Sequence, residues 1–272
     1  MARPKTEDEV QKWIKRIDAG LKFRDQAQQE YRWEQYVEEY RGNYPGMNIG
    51  GSRVLAINYV FAYVQTEISR LYFRDPFVAI NPKGESSIER AKLLELGINY
   101  LFGELNIKHE IGKVLMDALL IGHGWMKFGY TGTFGRVSTA EDIRLQPQSP
   151  ERMAEEVSEY VKSEEIFSVH VPWRDIVFSP DAVDPPYDCR WIAHRIVKPL
   201  EAVKESDIYE NTSNLSGNYN RSKDKSIDVD YEMVELWEIW DKDSSKVLVV
   251  AKGHNKFLRN RENSLMSEGL PF

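Results

Sequence analysis

The sequence predicts an α+β fold, with long helices first and a strand-rich half after them. Two patterns lead there. Up to Ile121 apolar residues recur at helical spacing; beyond Gly124 they alternate, or run in short blocks between proline-rich turns. Their order decides between classes. A helical half over 1–121 followed by a strand-rich half over 122–272 is not the strand–helix alternation of a doubly wound sheet. With 272 residues the chain is long enough for one large domain or two smaller ones.

The first element is a helix from Thr6, where Thr6 and Glu9 form a capping box. Val10, Trp13, Ile14, Ile17 and Leu21 hold its spacing, Tyr31 to Tyr40 continue it, and Gly42 stops it, with Gly20 as the place for a bend. Uninterrupted, ~35 residues would make a strut of about 50 Å. A second helix is predicted over Arg53–Tyr72, with Val54, Ile57, Phe61, Val64, Ile68 and Leu71 on one face, and Asp75-Pro76 closes it. "FVAI" (77–80) then reads as a short strand. Ser86 and Glu89 open a helix through Ala91, Leu94, Ile98, Leu101 and Leu105, and Asn106 caps the next one, which carries Ile111, Val114, Leu115, Ala118 and Leu119.

After Gly124, "WMKFGYTG" and "TFGRV" alternate like a hairpin. Ser149 and Pro150 start a charged helix that runs to Ser163. "EIFSVHV", "DIVF" and "RWIAHRIV" read as strands, and a short helix begins at Pro199. "NTSNLSGNYNRSKDKSID" reads as a flexible loop. "EMVELWEIWDKDSSKVLVVAKG" is the clearest hairpin, with Asp241 to Ser245 at its tip. There is no internal repeat.

The balance of 43 acids against 36 bases, net −7, speaks against a basic surface that coats nucleic acid. One cysteine, Cys189, leaves no disulfide framework and suits a reducing compartment. No secretory leader follows Met1, so the N-x-S/T-type matches at Asn211, Asn214 and Asn220 mark a polar loop rather than glycosylation. The longest apolar window, Val54 to Val64, is far shorter than the ~20 residues of a membrane span.

"DALLIGHGWMKFGY" (117–130) is the stretch most like a catalytic or phosphate-binding turn. A dinucleotide fingerprint needs strand, glycine turn, then helix; here helix precedes "GHG" and strand follows, and Lys127 stands where the last glycine would be. No phosphate loop of the G-x-x-x-x-G-K-[ST] type occurs. Gly122 is therefore expected to end the helix in a left-handed conformation, and Gly124 to turn the chain into the strand. His123 has no second ligand at metal spacing, and the five histidines (109, 123, 170, 194, 254) are scattered. Asp181 and Asp184 in "SPDAVDPP", with His194, are the residues a metal-dependent nuclease would use, although Asp beside Pro is ordinary turn chemistry. Cys189 reads as a core thiol. Trp13, Tyr31, Trp33, Tyr36 and Tyr40 with Arg24, Arg32 and Arg41 could form a stacking platform for nucleic acid, but Glu30, Glu34, Glu38 and Glu39 share the helix and favour packing. No catalytic, cofactor-binding or metal residue is assigned.

"NYVFAYVQTEISRLYFRDPFVAINPKG", followed by "ERAKLLELGINYLFGELNIKHEIGKVLMDALLIGHGWMKFGY", resembles the N-terminal part of tailed-bacteriophage portal (head-to-tail connector) proteins. "VPWRDIVFSPDAVD…CRWIAHRIVKPLEAVKE" is similar to their central strands, and "ELWEIWDKDSSKVLVVAKG" to the hairpin after them. The ordered succession over nearly all of 1–272 carries the resemblance. Portal chains continue past such a "GLPF" into stem helix, clip and crown. By resemblance this sequence is thus the wing region, whether as a fragment, a truncated product or one part of a split gene, and no DNA-lining residue can be assigned. The resemblance implies a structural, non-enzymatic subunit without cofactor, in a ring usually of twelve at the capsid vertex. Its partners would be further copies of itself, major capsid and scaffolding proteins, the terminase large subunit, a head-completion or adaptor protein, and double-stranded DNA passing through the channel. It would lie in the virion, and in the host cytoplasm during assembly. The alternatives are the nuclease and a helical interaction scaffold.

Overall fold

A computed structural model describes residues 5–44, 57–72, 74, 76–84, 87–136, 159–219, 231–263 and 269–272. The fold is α+β, as predicted. The described chain forms two compact units, one of 1–73, 112–125 and 171–272, the other of 74–111 and 126–170. No described helix is long and apolar enough to cross a membrane.

The first unit is built on a five-stranded antiparallel meander: β3 (Ile176–Phe178), β4 (Trp191–Pro199), β5 (Met233–Asp241), β6 (Lys246–Ala251) and β7 (Arg259–Glu262), adjacent in that order. Alternation along β5 sends Trp237 and Ile239 to one face and Val234 and Leu236 to the other, and both faces are covered. Helix α1 (Lys5–Tyr31) lays Val10, Trp13 and Ile17 on the first face, against Val177, Trp191 and Val250 as well. Leu200 and Val203 of α6 (Leu200–Glu205), which starts after Pro199 as expected, cover the second face with Leu215 and Leu258. Leu215 belongs to the segment read as a flexible loop; its described part, 211–219, is anchored, with Asn218 donating to the Lys252 carbonyl (3.0 Å) and accepting from the Glu235 amide (2.7 Å). Between β5 and β6 lies the predicted hairpin, with Lys242 to Ser245 at its tip. β7 was not predicted. "RNRE" has no apolar alternation, and its charges suit the exposed edge of a sheet.

The long helix is broken, but at Arg32 (φ 54°) rather than at Gly20. Gly20 lies inside α1, and the described helix already includes Lys5, one residue before the predicted cap. The break lets α2 (Trp33–Tyr40) turn Trp33, Val37 and Tyr40 onto a separate core with Val64, Leu120, Ile121 and Trp173. Gly42 (φ 82°) ends α2 as predicted: its amide donates to the Glu39 carbonyl (3.0 Å) and that of Asn43 to Glu38 (2.8 Å), a Schellman closure. α3 (Tyr59–Leu71) starts later than predicted, because Asn58 is its cap and accepts the Phe61 amide at 2.9 Å. Val54 and the predicted start at Arg53 lie outside the described residues. Val60, Val64 and Ile68 form the core-facing stripe of α3; Ile57, Phe61 and Leu71, predicted to share it, are exposed.

In the second unit "FVAI" is not a strand. It is held extended by side chains of α4 (Ile88–Glu104): the Val78 amide donates to Asn99 Oδ1 (2.9 Å), Asn99 Nδ2 donates to the Val78 carbonyl (2.9 Å), and the Ile80 amide donates to Glu95 (2.9 Å). One carboxamide thus does what a neighbouring strand would do. Asn99→Leu leaves both Val78 groups without it, and is expected to cost about 2 kcal/mol and to speed hydrogen exchange at Val78 and Ile80 well above that of the β5 amides. α4 begins after Ser87; Ser86 lies outside the described residues. Its predicted face is buried only at Ala91, and Leu94 is exposed. Asn106 (φ 48°) sits at the junction to α5 (Ile107–Ile121), and its carbonyl accepts the His109 amide at 3.0 Å. "WMKFGYTG" and the described part of "TFGRV", 133–136, are not a hairpin but parts of one strand, β1 (Trp125–Arg136), whose partner is β2 (Glu159–Val171). β2 contains "EIFSVHV" and begins earlier, so the helix predicted to reach Ser163 is already strand from Glu159, while 149–158 lie outside the described residues.

Candidate functional site

The corner after α5 is the first place to look for chemistry. Gly122 adopts φ 88°, and its amide donates to the Ala118 carbonyl at 2.9 Å, which ends the helix as predicted. Gly124 has a different reason to be glycine: a Cβ there would stand 2.2 Å from the Val114 carbonyl oxygen and 2.9 Å from Val114 Cγ1. The chain leaves α5 by folding back against its last turns. The end of the helix that meets the glycines carries carbonyls, so it repels rather than cradles a phosphate. Lys127 is buried in β1.

His123 is an aromatic packing group. Its ring lies edge-on to Trp33 (5.0 Å) and near Trp125 (6.2 Å), and Trp33 in turn meets Trp173 at 5.4 Å. Burial holds its pKa below the ordinary imidazole value, against a small opposite pull from Asp117. Below about pH 6.5 the unfolded chain takes up a proton that the folded His123 resists. Stability from this group is therefore fully present above that pH and falls as pH drops through it. Buried His254 is shifted the same way, chiefly by burial. Urea midpoints measured from pH 7.5 to 5.5 should fall, and fall less steeply in His123→Phe.

Asp181 and Asp184 share one exposed loop, as the sequence requires, and the loop is organised by a third acid that sequence reading passed over. Asp188 Oδ2 accepts the amides of Val183 (2.6 Å) and Asp184 (3.0 Å), which hold its carboxylate below the usual range. Lys242 Nζ closes the loop by donating to the Tyr187 carbonyl at 2.9 Å. His194 stands on β4, its ring 6.3 Å from that of Phe272. Among the described residues no group of three His, Cys, Asp or Glu is arranged to hold a metal ion. Among the described residues the nuclease reading therefore has no ligand set, and Asp181→Ala tests it directly through divalent-metal-dependent DNA cleavage.

Cys189 is buried beside Trp125, Val171, Ile176 and Ile192, as expected of a core thiol. Burial, with Asp188 nearby, pushes its pKa up to about 12, so almost no thiolate exists near neutrality. A thiol reagent at pH 8 should modify the folded chain at least 100-fold more slowly than the urea-unfolded one.

The aromatic and arginine set of the first helices divides. Trp13 is buried, edge-on to Trp191 at 6.0 Å, with the Arg16 guanidinium 4.4 Å above it. Tyr40 lies 5.3 Å from Phe61, and Arg24 donates to the Arg174 carbonyl. Trp13, Trp33 and Tyr40 pack inward, while Tyr31, Tyr36, Arg32 and Arg41 are exposed, so the set is split between core and surface rather than laid out as one stacking face.

Each unit carries a helix with an exposed apolar stripe. Leu93, Leu96 and Tyr100 on α4 are 72, 71 and 66% exposed, and Tyr59 and Tyr63 on α3 are 71 and 65%. The sequence carried a signal for the one on α4: "LLELGINYLF" is apolar on more sides than one core-facing stripe uses. No protein-family model matches the chain, and no curated protein matches it.

Proposed function

We propose that the chain is the wing portion of a phage portal subunit, a structural component of the ring at the capsid vertex. In that role it helps form the channel for DNA packaging and ejection and the docking site for terminase and for tail or adaptor proteins. The observation that carries the reading is that α3 and α4 each expose an apolar stripe, on an acidic chain with long helices: a single copy leaves such stripes in water, and an assembly would cover them. The ordered resemblance of the segments supplies the identity of that assembly. α1, 27 residues and about 40 Å long, is a rigid member bolted to a sheet. Net charge of −7 suits a protein past which DNA must slide without being gripped. Negative-stain imaging of the full-length gene product tests this. Rings with a central hole are expected; a monodisperse monomer at high concentration would sink the reading.

A further inference from the structure

From the two exposed stripes we infer that α3 of one copy packs antiparallel on α4 of a neighbouring copy; this rests on the ring reading above. On α3 the outward residues Tyr59, Tyr63, Thr66 and Arg70 follow the spacing i, i+4, i+7, i+11, and on α4 Glu89, Leu93, Leu96 and Tyr100 follow the same spacing. Run in opposite directions, the two series align term by term. Arg70, which pairs with Glu67 of its own helix at 3.0 Å, also meets Glu89 in this register, Tyr63 meets Leu96, and Tyr59 meets Tyr100. The charge pair closes one end, Thr66 falls opposite Leu93, and the other two pairs are apolar or aromatic, the arrangement in which a ridge of one helix seats in the groove of another. Gly97, beside Leu96, has nothing within 4 Å of where a Cβ would be, which leaves room for a ring from the other helix.

Area says what kind of assembly this serves. At about two-thirds exposure such side chains offer roughly 300 Å² per stripe, well under the ~800 Å² that each partner of a stable pair buries. One such contact does not hold a free dimer. In a closed ring every subunit uses both stripes, one on each neighbour, and the contact is heterologous because α3 and α4 are different surfaces.

The test is a disulfide between Tyr63→Cys and Leu96→Cys in the full-length chain, with native Cys189 buried and unreactive. Under mild oxidation the double variant should give a ladder of linked oligomers on a non-reducing gel, and neither single variant should. Arg70→Glu should reduce ring yield at least tenfold, and Arg70→Glu with Glu89→Arg should restore it. Rings that form without a ladder overturn the interface and leave the portal reading standing, as does a link formed within one chain. A chain that makes no rings overturns both.

Discussion

Gly124→Val is expected to destabilise the first unit by about 3 kcal/mol or more, whereas Gly122→Val costs about 1–2 kcal/mol. Both glycines lie in one five-residue corner, and they differ in what surrounds them. Gly122 needs its left-handed backbone, yet nothing lies within 4 Å of the position a Cβ would take, so the penalty there is conformational alone. At Gly124 the obstacle is the carbonyl oxygen of Val114, part of an α5 turn that is already hydrogen-bonded. It cannot swing aside as a side chain could. Either α5 frays from Val114 onward or Trp125 leaves its place beside Val171 and Ile192. Urea melts of the two variants should separate by about 1 kcal/mol or more, in this order. Equal losses would mean that the approach of residue 124 to Val114 is not part of the folded state.

The elements that could be read from the sequence are those whose signal is local. The β5–β6 hairpin, β4 and the proline start of α6 follow from alternation and turn chemistry within about ten residues. Gly42 and Gly122 end helices because their own φ requires it. Misread elements are those settled by a distant partner. "FVAI" has strand composition, but its hydrogen bonds go to Asn99 and Glu95 of a helix, and no local pattern announces that. β1 alternates like a hairpin and instead extends straight, because its partner β2 lies beyond residue 158. Asn58 lies inside the apolar run Val54 to Val64, where spacing alone gives it no role, yet its side chain caps the helix that follows. The same distinction runs through the candidate site. Element order was enough to remove the phosphate-cradle reading of the corner, whereas the packing of His123 among Trp33, Trp125 and Trp173 joins residues from three separated segments.

Gly20 gives the sharpest contrast between a local reading and a tertiary one, and the other large expected effect. A glycine in mid-helix reads as a weak point, worth about 1 kcal/mol to replace with alanine. The structure reverses the sign. A Cβ at Gly20 would lie 2.4 Å from Val177 Cγ1, 3.1 Å from the Phe178 carbonyl oxygen and 3.2 Å from Trp191, because α1 crosses β3 and β4 at this point with almost no space between backbones. Gly20→Val should therefore cost about 3 kcal/mol or more, and Gly20→Ala about 1–2 kcal/mol after its gain in helix propensity. Gly112→Ala, in α5 with nothing within 4 Å, is the control and should be neutral or slightly stabilising. Moving α1 outward also uncovers Val10, Trp13 and Ile17, so Gly20→Val should shift Trp fluorescence to the red in the folded baseline and lower the urea m-value. If Gly20→Ala were as stabilising as the local rule says, α1 would have to sit farther from the sheet than it does, and the strut on which the proposed wing depends would be a looser attachment.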